Sequence, residues 1–156
     1  MPRHNWSRLN KQQVGAYAEY FVKMELTMHG FQVYSTEVDD RGIDFVARLE
    51  DGPFLEIQVK SRREPGYVFM YKANFPLRKT MHLALVLLAE GVEPQLFLIP
   101  STVWNEPTVT FVDRRYEKGQ RSKPAWGIYV TERKWPDLHQ FRFEAALNAI
   151  TSRTDG

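Results

Sequence analysis

Phe54-Leu55-Glu56-Ile57-Gln58-Val59-Lys60-Ser61 is the stretch on which the reading of this chain turns. Leu55, Ile57 and Val59 alternate with Glu56, Gln58 and Lys60. Side chains in a strand point to opposite faces with a period of two, so this segment predicts a strand with one apolar face and three polar groups in a row on the other. The segment before it, residues 43–49, carries Ile43, Phe45, Ala47 and Leu49 on one face and leaves Asp44 on the opposite side with Val46 and Arg48. Turn residues at 39–42 (Asp39-Asp40-Arg41-Gly42) and 51–53 (Asp51-Gly52-Pro53) bound these segments, and residues 31–38 read as a strand ahead of them. Three consecutive strands with short turns predict an antiparallel meander. If Asp51-Gly52-Pro53 is a three-residue loop, Asp44 pairs with Lys60, Val46 with Gln58 and Arg48 with Glu56, all on one side of the sheet. A loop of two or four residues would instead separate Asp44 from Gln58 and Lys60.

Upstream, residues 9–29 place Val14, Tyr17, Ala18, Phe21, Val22, Met24 and Met28 at helical spacing, with Gly30 as the stop. Glu19 falls at one rim of that apolar arc. Downstream, residues 67–71, 83–88, 95–99 and 127–131 read as further strands, and Pro100-Ser101 ends one and starts a short helix. Residues 105–124 read as irregular, charged and aromatic. Residues 136–150 read as a packing helix with Leu138, Phe141, Ala145 and Ala149 on one stripe.

Composition sets the frame. At 156 residues, with 43% hydrophobic and 26% charged side chains, the chain is expected to fold as one α/β domain spanning 1–156. There is no Cys, which excludes disulfides, thiolate metal sites and a cysteine nucleophile, and fits a reducing, cytoplasmic setting. The N-terminal dozen residues have no apolar run of the secretory kind, and the longest apolar stretch, residues 83–89, is too short to cross a bilayer. A soluble, cytoplasmic protein with no membrane partner is the expectation. The four His residues show no metal-ligand spacing. Net charge is only +2, but positive side chains cluster at Lys60, Arg62 and Arg63, at Arg114, Arg115 and Lys118, and at Arg121, Lys123, Arg133 and Lys134. Such clusters suit a phosphate backbone and equally suit solvated loops.

Phosphodiester cleavage needs a divalent ion, a way to orient or deprotonate water, and stabilisation of the leaving oxygen. Magnesium takes oxygen ligands and typically uses one or two carboxylates plus water. Asp44 is the first candidate ligand, Gln58 can add its amide oxygen, and Lys60 projects from the same face. Gly42-Ile43-Asp44 followed by Gln58-Val59-Lys60 resembles the signature of the PD-(D/E)XK nuclease superfamily in a Q-x-K variant, closest to Holliday junction resolvase-like and restriction endonuclease-like members. Glu19, within Gly15-Ala16-Tyr17-Ala18-Glu19, is similar to the helix glutamate of the resolvase-like members. The resemblance covers residues 14–63.

It implies a restriction-endonuclease-like mixed β-sheet with an N-terminal helix and a C-terminal packing helix. It further implies a catalytic set of Asp44, Gln58, Lys60 and Glu19, with Asp44, Gln58 and Glu19 holding Mg2+, for which Mn2+ can substitute. DNA is the implied partner, Arg62 and Arg63 are candidate phosphate contacts, and a homodimer is expected because duplex or junction cutting commonly uses two sites. Two departures stand out. Gln58 is neutral where the family has an acid, with Glu56 on the same face as the residue placed to compensate. The segment after the Lys strand reads as strand and loop where the family has a helix.

Each residue also has a plainer explanation. Lys60 and Asp44 could form a weak cross-strand ion pair, Glu19 could simply face solvent, and Trp104, Tyr116 and Trp126, candidates for base stacking, are the kind of residue more often used in packing. Three functions therefore compete: a metal-dependent endonuclease in DNA repair, recombination or restriction; a catalytically inactive nuclease fold that binds nucleic acid; and a protein-interaction module docking through the aromatic segment 111–126.

Overall fold

The computed structural model describes residues 2–37, 42–115 and 121–154. Val38, Asp39, Asp40 and Arg41, together with Tyr116 and Lys118, which the sequence reading assigned to a strand end, a turn, a stacking residue and a basic cluster, lie outside the described residues.

The first helix, α1 (Lys11–Met28), starts on a reciprocal capping box in which Asn10 accepts from the Gln13 N–H and Gln13 accepts from the Asn10 N–H, each at 2.9 Å. It ends where Gly30, at φ 91°, lets the Phe31 N–H reach back to the Leu26 carbonyl. Val14, Ala18, Val22 and Leu26 are its buried row. Met24 and Met28, expected in that stripe, are exposed. At 100° per residue each sits about 160° around the helix from Leu26.

Beneath α1 lies a five-stranded sheet in the order β1 (Gln32–Ser35), β2 (Phe45–Arg48), β3 (Leu55–Arg62), β5 (Met81–Leu87), β6 (Gln95–Pro100). The first three strands form the expected antiparallel meander, β5 runs parallel to β3, and β6 is antiparallel to β5. One face buries Phe45, Ala47, Ile57, Ala84, Val86 and Leu98 under α1 and the C-terminal helix. The other buries Leu83, Leu85, Phe97 and Ile99 against a second, three-stranded antiparallel sheet in the order β4 (Gly66–Tyr71), β8 (Ala125–Val130), β7 (Phe111–Arg114). Cover on both faces is why β5 reads as an unbroken apolar run rather than an alternating one.

The crossover from β3 to β5 consists of β4 and a short 3-10 turn (Lys72–Asn74), a strand and loop where a helix would be usual, as the sequence indicates. A 3-10 helix (Ser101–Asn105) follows β6. The segment read as irregular contains β7, whose four residues are too few to announce themselves. The C-terminal helix is broken into α2 (Trp135–His139) and α3 (Phe143–Thr154). The break has a cause: the Phe141 carbonyl accepts the Leu98 N–H at 2.9 Å and Arg142 bridges Phe97, so the chain covers the outer edge of β6 there. The buried stripe is consequently Leu138, Phe143, Ala146 and Leu147, with Ala145 and Ala149 exposed.

Candidate active site

The corner between β2 and β3 fixes the site. Phe45 pairs with Ile57, Val46 with Glu56 and Ala47 with Leu55. This register differs by two residues from the expected one: Asp44 lies beside Gln58, not Lys60, and Val46 faces Glu56, not Gln58. The loop is longer than three residues because Leu49 and Glu50 join the turn. The Gly52 N–H closes on the Leu49 carbonyl at 2.9 Å, Glu50 adopts φ 50°, and the Arg48 Nε donates to the Gly52 carbonyl at 2.7 Å. A shift of two preserves side-chain facing, whereas a shift of one would not.

At Asp44 the regular ladder ends. Its N–H donates to the Ile57 carbonyl at 2.8 Å, and its Oδ2 accepts the Val59 N–H at 2.7 Å. The carboxylate thus reaches β3 between Gln58 and Lys60. Gly42, at φ 75°, makes this approach feasible, since a Cβ there would lie 2.6 Å from the Asn74 carbonyl oxygen.

On β3, Gln58 pairs with Leu83 and Lys60 with Leu85, so both project on the face that carries those leucines. Gln58 is buried, and its Oε1 takes no hydrogen bond among the described residues. A buried amide oxygen without a donor is costly unless a cation or water supplies what the protein does not. Lys60 is half-buried and lines a cleft of about 880 Å³ with Lys11, Val14, Gly15, Val59 and Arg63. Lys11 had no signal in the sequence, being 49 positions from Lys60 and brought near only by α1 crossing β3.

Glu19 stands on α1, over the opposite face of the sheet from Gln58 and Lys60. It pairs with Lys23 at 3.2 Å, and the Lys23 ammonium lies 5.4 Å from the centre of the Phe45 ring. Asp44, Gln58 and Lys60 therefore share one face of the sheet, while Glu19 stands over the other, paired with Lys23.

Glu56 does not compensate for the neutral Gln58. Arg78 grips it with two nitrogens, Nε at 2.8 Å, and the Thr80 hydroxyl donates at 2.6 Å. Burial works to raise its pKa, but the Arg78 and Thr80 hydrogen bonds and the charges of Arg78 and His82 outweigh that and leave it below the ordinary carboxylate range. Arg62 turns its guanidinium onto the carbonyls of Glu64 (2.7 Å) and Pro65 (3.3 Å), and Arg63 holds those of Trp6 (3.1 Å) and Leu9 (2.7 Å). Carbonyl partners satisfy donors without neutralising charge, so both arginines add positive charge to a cleft wall that also carries Glu64 and Glu90. Trp104 is buried and donates to the Gly127 carbonyl at 2.8 Å, and Trp126 lies half-buried under Lys72, so neither offers a stacking face. Among the described residues no group of three His, Cys, Asp or Glu side chains could hold a metal ion.

No family model matches this chain, and no curated protein sequence does. Among solved structures, it is similar to the bacterial homing endonuclease I-Ssp6803I, with a TM-score of 0.53 and 17% identity over 94% of this chain and 97% of that one. The Holliday junction resolvase Hjc of Archaeoglobus fulgidus matches at a TM-score of 0.47 and 18% identity, over 75% of this chain and 90% of that one. The helix, five-stranded mixed sheet and C-terminal helix form a nuclease-like fold.

Proposed function

We propose that this protein is a metal-dependent endonuclease hydrolysing DNA phosphodiester bonds in repair, recombination or restriction, with Asp44, Gln58 and Lys60 at its centre. The observation that carries this reading is the buried Oε1 of Gln58, without a hydrogen-bond partner among the described residues, on the strand position next to Asp44. An oxygen pair of this kind fits a hard cation, and Mg2+ or Mn2+ is the expected ion. When bound, that ion supplies charge neutralisation at the phosphate and a more acidic water.

The chain's own residues do the rest. The Val59 N–H fixes where the Asp44 carboxylate lies, Gln58 brings its oxygen from inside the fold, and Lys60 orients water and offsets negative charge from the cleft side. Glu19 joins as an additional ligand in this reading only by leaving Lys23 and reaching around the sheet from its opposite face. Releasing it from Lys23 costs little, because an i,i+4 pair is worth about 0.3–0.5 kcal/mol. Arg62 and Arg63 extend positive potential along the cleft toward the DNA backbone. A homodimer would present two such sites to a duplex or junction.

Labelled duplex, single-stranded and four-way-junction DNA, incubated with Mg2+ or Mn2+, test the reading. Cutting by the native protein and none by Lys60→Ala is expected. A thermal shift with Mn2+ that grows in Gln58→Glu and vanishes in Asp44→Asn reads metal binding apart from activity. Unchanged metal affinity in Gln58→Glu would remove Gln58 from the ligand set. A second reading, an inactive nuclease fold that binds nucleic acid, is favoured by one observation: Glu56 is committed to Arg78 and Thr80, leaving few negative charges at the site. DNA binding without cutting by either protein would select it.

A further inference from the structure

The outer face of the three-stranded sheet carries a row of aromatic rings. Val68 and Met70 of β4 point into the core, so Tyr67, Phe69 and Tyr71 point out. Tyr67 lies opposite Tyr129, with ring centres 5.0 Å apart. Along the row, Tyr67 and Phe69 are near-parallel at 6.4 Å, and Phe69 and Tyr71 are 5.3 Å apart.

Cations flank both ends. The Arg114 guanidinium sits 5.3 Å from the centre of the Tyr67 ring and donates to the Tyr129 hydroxyl at 2.6 Å, while the Lys123 ammonium is 6.0 Å from the Tyr71 ring. Arg121 lies exposed nearby in sequence, as does Arg115, which pairs with Asp113 at 2.9 Å. The outward positions of the sheet, Tyr67, Phe69, Tyr71, Val112, Arg114, Ala125, Gly127 and Tyr129, include no acid.

Cross-strand aromatic pairing alone would account for Tyr67 and Tyr129. It does not account for Phe69, which faces Gly127 and so has no side chain opposite it. Phe69 and Tyr71 each remain 43% exposed. Gly127 stays bare because the Tyr67 hydroxyl occupies the place a Cβ would take. The result is a shallow strip of ring surface bordered by positive charge.

The geometry points to a single-stranded nucleic-acid platform on this face, separate from the cleft that Lys60 lines. Bases stack on aromatic side chains without regard to sequence while Arg and Lys hold the backbone. The strip begins at Gly66, directly after the cleft-lining Arg62, Arg63 and Glu64, and the Arg62 guanidinium reaches the Tyr67 carbonyl. A strand lying on the rings would thus lead toward the cleft. It is part of the nuclease reading only in that it names the form of DNA held there; binding on this face needs no cleavage.

Fluorescence anisotropy of a labelled oligothymidylate measures it directly on the full chain. Phe69→Ala and Tyr71→Ala should each weaken binding about tenfold. Tyr71→Phe and Phe69→Tyr, which keep the ring, should stay within about twofold, and Met28→Ala, on the exposed face of α1 and outside both sites, should bind as the native protein does. Sedimentation of the same variants reports self-association. Affinity unchanged by ring removal would overturn the platform, as would ring variants that alter only the oligomeric state. Weakened binding in these variants with no cleavage by the native protein would keep the platform and sink the nuclease reading. Cleavage with unaltered oligothymidylate binding would do the reverse.

Discussion

Asp44 has two duties that substitution can separate. Its carboxylate accepts the Val59 N–H where the strand ladder has run out. Asp44→Ala therefore leaves a part-buried donor unmet and should cost about 1–3 kcal/mol in urea unfolding. Asp44→Asn retains an acceptor oxygen, so it should lose far less stability while abolishing metal-dependent cutting. Equal destabilisation by the two would show that the Val59 contact is not what the carboxylate holds. The type and alternation of Asp44, Gln58 and Lys60 were legible in the sequence because a period of two is local. The partner of Glu56 was not, since Arg78 and Thr80 lie 22 and 24 residues further on, at the far end of the crossover. Of the aromatic residues singled out from sequence, Trp104 and Trp126 are packed, which was illegible for the same reason, and Tyr116 lies outside the described residues. Only the sheet pairing tells that Tyr67, Phe69 and Tyr71 face outward, and only the fold carries Trp104, on the 3-10 helix after β6, into the core.

At the scale of elements, the position of Asp44 depends on how β2 is entered. Gly42 combines a φ of 75° with an approach to the Asn74 backbone that leaves no room for a methyl group. Gly42→Ala should cost about 2–3 kcal/mol, joining left-handed strain to a clash with a carbonyl that a side-chain change at Asn74 cannot relieve. Cleavage should fall with it, because Asp44 is two residues on. Normal stability with Asn74→Gly but not with Gly42→Ala would be the expected pattern by thermal melting; a harmless Gly42→Ala would mean the turn is free to relax. Element order through β3 followed from hydrophobic period and turn residues. Register did not, because the six-residue connection from Leu49 to Phe54 looks three residues long when only Asp51, Gly52 and Pro53 carry turn chemistry. The broken C-terminal helix likewise could not be foreseen, since its break serves hydrogen bonds to a distant strand edge.

Across the whole molecule, charge pairs and a buried histidine hold the two sheets to an acid-sensitive balance. His82 is buried on β5, and burial above all lowers its pKa beneath the ordinary 6.5, against the opposing pull of the Thr80 carbonyl and the Glu56 charge. Glu56 is depressed below 4.5 as described, and Asp113 below 3.8: burial acts to raise it, but hydrogen bonds from Lys72 and Arg115 and their charges prevail. In all three cases the unfolded chain binds protons more readily than the folded one. Stability therefore rises with pH through each window and is lost as pH falls. The loss should come in two stages, the first below pH 6.5 from His82 and the second below 4.5 from the carboxylates. His82→Leu separates them. The Thr80 carbonyl that His82 contacts also accepts the Glu56 N–H at 2.8 Å, so the substitution leaves it satisfied. Urea unfolding across this pH range should show the first stage flattened in His82→Leu and the second retained. A first stage that persists in the variant would place the titrating group elsewhere in the fold.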